Sequence, residues 1–587
     1  MEGNKIDRNQ IIGFVLIGLI MLWFAYWSSS QAPEAETNVA LAPQEESKKD
    51  TATESVLQVS IAQELDSAEL TLATDSVFVL ENDLLRVQIT SAGAQIIGVQ
   101  LKEYQTWDSL PLNLIDSNQI LAFRVGDQGS ILQHRFNGTI TKSGGSQILK
   151  LVSAVKDGKS FTATYTLPEK GYQLAGKVSG QGFSPGSNLF VNWQLDALRT
   201  EKSMQTERQR ATIYFSEGDD TDYISPRSDD EKQKENIGWL GYKQHFFSSI
   251  FHPEQQIQKA QLATVSFEGE TLIKRLTSES QLQTVDDNFQ LNFNLYYGPN
   301  KYGVLKELGN NYDQIIDFGW GIFGWISRGV VIPIFNWLDK YGLNYGLIIF
   351  IMALIIKIVL FPLTFQSYKS MAKMRVLKPE MDEITAKFKD KDPVKKNQAV
   401  MELYQQAGVN PLGGCIPMLV QMPILLAMFN FFPGSIELRQ EPFLWATDLS
   451  SFDAIVTWDT YIPVLSTFYG NHISLFTILM TISTLIYTWM NNQMQGQTNQ
   501  IPGMKFIMYG MPVMLLFWFN SYSAGLSYYY FVANVITFTQ QWLIRKSIDD
   551  GAIHAKIQAK RAQPKSKGKF QQRLEEMAKQ KGTKLPK

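Results

Sequence analysis

IIFIMALIIKIVLFPLTF, residues 348–365, is the stretch whose reading decides the fold. It carries one charge, Lys357, with apolar neighbours on both sides. With the residues before it, from about Asn344 to Thr364, it reaches the roughly 20 residues that a bilayer span needs. A cation at the centre of such a helix costs about 2.5–3.5 kcal/mol on the insertion scale. No Asp or Glu occurs inside this run or the similar runs below, so none of them neutralises Lys357. Position alone leaves two readings open. The stem can snorkel to the headgroups past the inner end at Thr364, or a wet cavity between helices keeps the ammonium hydrated and available.

Working outward, further apolar runs lie at about Leu412–Phe432, Ile473–Met490, Met504–Asn520 and Gly525–Ile544. Another, Ile11–Trp27, follows a short head with Lys5 and Arg8. Its length and its closing Trp23, Tyr26 and Trp27 favour an uncleaved anchor over a signal peptide, although Ser28, Ser29, Ser30 and Ala32 would permit cleavage. Six spans result. With the N-terminus inside, the loop after Phe365 lies inside and carries nine Lys and Arg from Lys369 to Lys396. The loop from Pro433 to His472 carries Arg439 alone and lies outside. This satisfies the positive-inside bias. The segment Phe318–Leu338 is also about one span long, but Arg328 sits mid-segment among Trp320, Trp325 and Trp337. A span there would turn the basic loop outward, so it reads as a helix lying in the outer interface. The inside loop reads as two helices, about Gln366–Lys387 and Pro393 to near Gly408, either a docking arm or a solvated hairpin.

The middle of the chain is different. Phe78–Leu101, FVLENDLLRVQITSAGAQIIGVQL, alternates apolar and polar residues and breaks at Gly or Asn, the signature of half-buried strands. LFVNWQLDAL and FQLNFNLYYG repeat it, and the length suits a two-sheet sandwich. The acidic stretch Asp219–Glu231 lacks EF-hand spacing and reads as a solvated loop. Gln31 to about Asp75 has no aromatic residue and reads as a flexible linker. The net charge of −2 hides an asymmetry: Arg545–Lys587 holds 13 Lys and Arg against four acids, which suits an anionic partner such as RNA or a lipid surface. The single cysteine, Cys415, excludes an intramolecular disulfide. The chain thus divides into an anchor (1–28), a linker (29–75), a β domain (76–316), an interfacial helix (317–341), a helical core (342–546) with a cytoplasmic hairpin (365–409), and a basic tail (547–587).

Polar side chains inside the runs favour a cavity: Gln421 and Asn430, Thr481, Ser483 and Thr484, Tyr530, Asn534 and Thr537. Hydrogen bonding between helices is their ordinary explanation. Pro417, Pro423 and Pro512 add kinks that loosen packing. Lys357–Glu380, KIVLFPLTFQSYKSMAKMRVLKPE, and Asn410–Phe431, NPLGGCIPMLVQMPILLAMFNF, resemble the signature stretches of YidC-type membrane insertases. Met511–Ile544 resembles the last two helices of that family, and LENDLLRVQITSAGAQI more loosely resembles its periplasmic domain.

The resemblance implies a polytopic α-helical membrane protein of six transmembrane helices, five of them forming the insertase core, with a periplasmic β-sandwich of the supersandwich kind. It implies a hydrophilic groove open to the cytoplasm and lipid and closed to the outside. Lys357 takes the place of the groove charge, where the family usually has arginine. The change keeps the charge and loses the bidentate fork. Gln421 and Tyr530 match groove-lining positions. Ile416, Pro417, Met422, Pro423, Val513, Trp518 and Phe519 match the apolar slide that contacts a nascent helix, although without the family ordinary packing or lipid exposure is the preferred explanation of each. The implied function is insertion and folding of nascent membrane proteins in the bacterial inner membrane, alone or beside the Sec translocon, with the basic tail on the ribosome and both termini cytoplasmic. Membrane lipids are partners, and no nucleic-acid sequence is read. No enzymatic step, cofactor or metal is expected. There is no Walker loop or H-E-x-x-H, and an S-x-x-K match at Ser370 and Lys373 lacks its partner motifs. A transporter would show internal repeats, and none is found.

Overall fold

The computed structural model describes residues 75–388, 393–409, 416–463, 465–495 and 504–561. The expected anchor, nearly all of the linker, Cys415 and the chain after Arg561 lie outside these residues.

The β domain forms where the alternation placed it. Leu85, Val87 and Ile89 are fully buried while Arg86 and Gln88 between them are not. Phe161, Ala163, Tyr165 and Leu167 repeat the pattern along Ser160–Leu167. Period-two burial of this kind fixes one face of each strand against a core. Four strands, Val77–Glu81, Leu85–Thr90, Ile96–Gln105 and Pro111–Asp116, make an antiparallel sheet in chain order. A much larger antiparallel sheet holds the remaining strands up to Asn288–Pro299, its centre running from Ser187–Leu198 through Leu272–Val285, Ile257–Ser266 and Asp230–Lys243 to Phe247–Pro253. Trp193 stacks on Tyr242 with ring centroids 3.7 Å apart, and the Tyr242 hydroxyl donates to the Trp193 carbonyl at 2.7 Å. That bond satisfies the polar end of a ring otherwise sealed in the core. The acidic stretch is not a loose loop. It forms the strand Asp220–Tyr223 and opens the next, with Asp222 beside Lys234 at 3.6 Å.

A short helix, α1 (Met204–Arg210), interrupts the domain, and α2 (Tyr302–Leu308) closes it. The helical region follows: α3 (Gly321–Asp339), α4 (Tyr345–Val376), α5 (Lys378–Lys387), α6 (Pro393–Ala407), α7 (Ile416–Gly434), α8 (Leu475–Gln495), α9 (Met504–Phe519), α10 (Ala524–Ser547) and α11 (Asp550–Arg561). By length and composition α3 and α4 suffice to cross a bilayer, and Val420–Gly434 and Met508–Phe519 are shorter apolar helices. Two expectations change here. The first hairpin helix does not start at Gln366, because α4 continues unbroken to Val376 before α5 begins. The basic tail does not start at 547, because α11 is folded: Ile553 and Ile557 pack with Tyr368, Leu403 and Tyr404 of the hairpin, and Arg375 pairs with Asp550 at 2.6 Å.

The β domain sits on one end of the helical region through a buried polar contact. Arg439, in the loop after α7, donates to Glu201 Oε1 at 2.8 Å and to the carbonyl of Gln105 at 2.5 Å, with Phe247 beneath its guanidinium. His245 Nε2 meets the Pro433 carbonyl at 2.7 Å. Burial, reinforced by the positive charge of Arg210, holds this imidazole well below its ordinary value. It is therefore neutral, and Nε2 is the donor.

Candidate functional site

Lys357 is 6% exposed, yet it is not sealed in packed apolar side chains. It lines a narrow hollow with Leu360, Thr364, Tyr368, Gln421, Tyr487, Thr537 and Gln540 among the walls. Four helices supply these residues: α4, α7, α8 and α10. On α4 the polar members stand at 357, 364 and 368, spacings of seven and four that share one helical face. Pro362, also inside α4, has no N–H to give to the carbonyl of Ile358. Lys357 Nζ donates no hydrogen bond to a described residue and pairs with no described carboxylate, whereas its backbone carbonyl accepts from Gln540 Nε2 at 3.1 Å. The charge is buried from bulk water, faces a hollow of mixed polar and apolar lining and is uncommitted among the described residues.

The hollow has a direction. Lys357 to Tyr368 covers about 16 Å of α4 on the side leading to the hairpin. The other half of the bundle is closed. Ile348, Ile349, Met352 and Ala353 of α4 pack with Met428, Phe431 and Phe432 of α7 and Leu526 and Tyr529 of α10. Gly346 lies against Phe443 so closely that an added Cβ would stand 2.1 Å from the ring, so the first turn of α4 fits there only with glycine. Asp453 then caps α8, accepting from the N–H groups of Leu475 at 2.9 Å and Phe476 at 3.0 Å and from Trp445 Nε1 at 2.8 Å. Asn520 ties the end of α9 to the His472 carbonyl at 2.8 Å.

The residues singled out by sequence fall in different places. Lys357 and Gln421 come together in the hollow. Tyr530 is not among its walls. It stands about 10 Å further along α10 from Thr537, and its hydroxyl donates to the Leu425 carbonyl at 3.1 Å. Met422, Val513 and Trp518 are exposed, while Pro423 and Phe519 are half-buried. Phe429 of α7 meets Trp518 and Phe519 of α9, with centroids 6.5 and 6.0 Å away. Ile416 and Pro417 begin α7, and their side chains lie outside the described residues. Asn534 donates to Ser483 and Thr484 at 3.0 Å, and Asn430 to the Leu426 carbonyl at 3.0 Å, the ordinary bonding within and between helices. Tyr368, Tyr487 and Gln540 were not singled out by sequence. The first shares the helical phase of Lys357, and Gln540 lies three residues from Thr537, which was the signal available.

Residues 78–332 match the family described as the YidC periplasmic domain, and residues 337–551 match the 60Kd inner membrane protein family. A membrane protein insertase YidC of Parabacteroides distasonis is 36% identical over 97% of both chains. The chain belongs to the YidC family of membrane protein insertases. The YidC of Cytophaga hutchinsonii is 37% identical over 98% of both chains. A crystal structure of an active YidC insertase with its first transmembrane domain resolved covers 83% of this chain and 98% of that one, at 17% identity and a TM-score of 0.32. A putative aldose 1-epimerase from Escherichia coli covers 38% of this chain at 11% identity and a TM-score of 0.27. At these scores the sequence relatives, and not the solved structures, decide the family. The protein is accordingly a non-enzymatic insertase of the inner membrane. It carries a YidC periplasmic domain, and its substrates are nascent membrane proteins.

Proposed function

We propose that the protein inserts nascent helices through the Lys357 hollow, which acts as a groove open to the cytoplasm and closed outside. The observation that carries this is the Lys357 ammonium, uncommitted among the described residues, facing a hollow with Thr364, Gln421, Thr537 and Gln540 in its walls, with the opposite half of the bundle packed shut. In this reading α4, α7, α8, α9 and α10 are five spans, the chain around Ile11–Trp27 is a sixth, and α5 and α6 project into the cytoplasm. The basic loop and tail support that orientation. The placement of α3 supports it too. Gly319 lies at Asn430, Ser327 Oγ is 3.5 Å from the Ala427 carbonyl, and Phe335 stacks edge-on to Phe431. Seventeen residues from 319 to 335 therefore meet a window of five residues on α7. A helix that crosses a spanning neighbour so steeply lies along the membrane surface, as an interfacial helix does.

The energetic step is moving a short polar tail across hydrocarbon. An acid in that tail meets a penalty of about 2.5–3.5 kcal/mol at mid-depth. A cation roughly 5 Å away, at an effective dielectric near 20, returns about 3 kcal/mol. From Lys357 to the outer end of α4 at Tyr345 is about 18 Å, against about 30 Å for a whole hydrocarbon core. Gln421, Thr364 and Gln540 supply partners to the tail's backbone, which lipid cannot. Burial of the nascent helix in the bilayer then drives insertion, with no nucleotide. The exposed side chains of Met422, Val513 and Trp518 offer that helix an apolar surface beside the groove, with Ile416, Pro417, Pro423 and Phe519 extending it. Tyr530 closes the groove's outer end. The basic tail docks the ribosome, and the protein works alone or beside the Sec translocon.

A depleted strain complemented with Lys357→Ala and Lys357→Arg tests the mechanism by following a single-span client with an acidic tail. Arginine sustains insertion and alanine loses it. Normal insertion of every dependent client with alanine would remove the charge from the mechanism.

A further inference from the structure

A second cationic cluster lies apart from the groove, where the β domain meets the helical region. Lys243 ends the strand Asp230–Lys243 and is 5% exposed. Its ammonium makes no hydrogen bond or ion pair with any described residue, and its near neighbour is the face of Tyr214, 5.3 Å from the ring centroid. Burial draws it down to about 8, Arg210 adds to the effect, and Asp317 opposes it. Arg210 ends α1, half-buried, with Nη1 3.9 Å from where a Cβ on Gly434 would stand. It too donates to no described residue. Arg227 stands at the exposed rim and acts on Arg210 and Tyr522. One carboxylate, Asp317, acts on both Arg210 and Lys243, and it already accepts from the Gly319 N–H at 2.9 Å. Three cations less one carboxylate leave a surplus of two. A buried ammonium without a counter-charge is costly, so such a surplus favours an anionic ligand.

The depth of the cluster says which anion. Gly434 ends α7, Tyr522 lies in the turn between α9 and α10, and Asp317 precedes α3 by four residues. Trp320, Trp325 and Trp337 on and beside α3 are 80%, 67% and 52% exposed. Tryptophans presented in this way collect at the headgroup layer. The negative charge always present at that depth is lipid phosphate. We propose that Lys243 and Arg210, with Arg227 at the rim, form a binding site for the phosphate of an outer-leaflet phospholipid. The bound lipid seats the β domain on the membrane surface. This site rests on the orientation proposed above and is separate from the groove.

The test uses the full-length protein in neutral detergent and follows its thermal unfolding. Short-chain phosphatidylglycerol, the diacylglycerol of the same chain length and inorganic phosphate are titrated separately. Phosphatidylglycerol raises the melting temperature saturably and the phosphate-free diacylglycerol does not. Lys243→Met and Arg210→Gln each weaken the lipid's apparent affinity at least about tenfold, as loss of one member of a buried charge contact does. If Lys243→Met fails to fold, Arg227→Gln at the exposed rim gives the same readout with a smaller loss. Inorganic phosphate binding as tightly as the lipid would overturn the lipid assignment. Equal responses in wild type and all variants, or no response at all, would overturn the site. Lys357→Ala keeps the lipid response, so failure of the groove mechanism and failure of this site are told apart.

Discussion

Lys357 sits where one residue can be asked for a number. A full charge contact of about 3 kcal/mol corresponds to roughly a hundredfold in a rate or an equilibrium, which is an upper bound for a client whose acid passes close to the ammonium. Lys357→Ala therefore slows insertion of a client with one acidic residue in its translocated tail by about tenfold or more. A client with the same tail neutralised changes less than about twofold. Pulse-labelling with protease protection of the tail measures both. Equal slowing of the two clients would assign the loss to packing and not to charge. Lys243 gives a second test, through pH. Its folded value of about 8 lies below its ordinary 10.5. Below about pH 8 the group is protonated folded and unfolded, and the fold bears the whole burden of the buried charge. Between about 8 and 10.5 the unfolded chain binds more protons, so this group's contribution to stability rises with pH, by about 3 kcal/mol at most. Wild type minus Lys243→Met, measured by denaturant titration of the lipid-free protein at pH 7 and pH 10, isolates it. Lys357 was legible in sequence because an unpaired cation in an apolar run is conspicuous. Lys243 was not, because its strand is one of many, and whether an end residue is buried depends on what docks there.

The apolar helices were legible to within a few residues, since hydropathy reports length directly. Boundaries failed where an apolar helix continues into a charged segment without a break, as α4 does to Val376, since nothing in QSYKSMAKMRV stops a helix. α11 was missed for a related reason: its cations suggested a solvated tail, and only Ile553 and Ile557, one turn apart, signalled a buried face. The distinction matters for the ribosome proposal. Removal of residues 550–587 strips a folded helix from the hairpin, whereas removal of 562–587 leaves it and still takes eight Lys and Arg. If the tail binds ribosomes electrostatically, the shorter deletion alone lowers co-sedimentation at physiological salt, and the loss shrinks as salt rises. Unchanged binding would reject the tail as the contact. Separately, Ile557→Ala removes a side chain buried against the hairpin and costs that contact about 2–4 kcal/mol. Limited proteolysis then cuts the hairpin faster while the β domain stays resistant, and an unaltered cleavage pattern would mean that α11 does not hold the hairpin.

At the scale of the whole molecule the open matter is what fixes the β domain over the helices. The two regions were legible separately, each from its own periodicity. Their contact was not, because Arg439 and Glu201 stand 238 positions apart and a lone arginine in the loop after α7 carries no mark of its partner. The pair is buried on both sides, and Glu201 adjoins Thr200, whose N–H and hydroxyl both bond Glu207. Burial pushes the Glu201 carboxyl up, and the Arg439 guanidinium draws back only part of that shift. Breaking a buried pair from one side costs about 3–5 kcal/mol, because the remaining member is left buried without its partner, while replacing both members with apolar residues of similar volume is often neutral. Arg439→Leu alone is therefore expected to loosen the domain, and Arg439→Leu with Glu201→Leu to restore much of the loss. Spin labels placed on Thr141 in the β domain and on Tyr461 in the loop between α7 and α8 read the docking directly. The single variant broadens their distance distribution, and the double variant narrows it again. Identical distributions in wild type and the single variant would show that apolar contacts around Phe247 and Pro433 hold the domain without the pair.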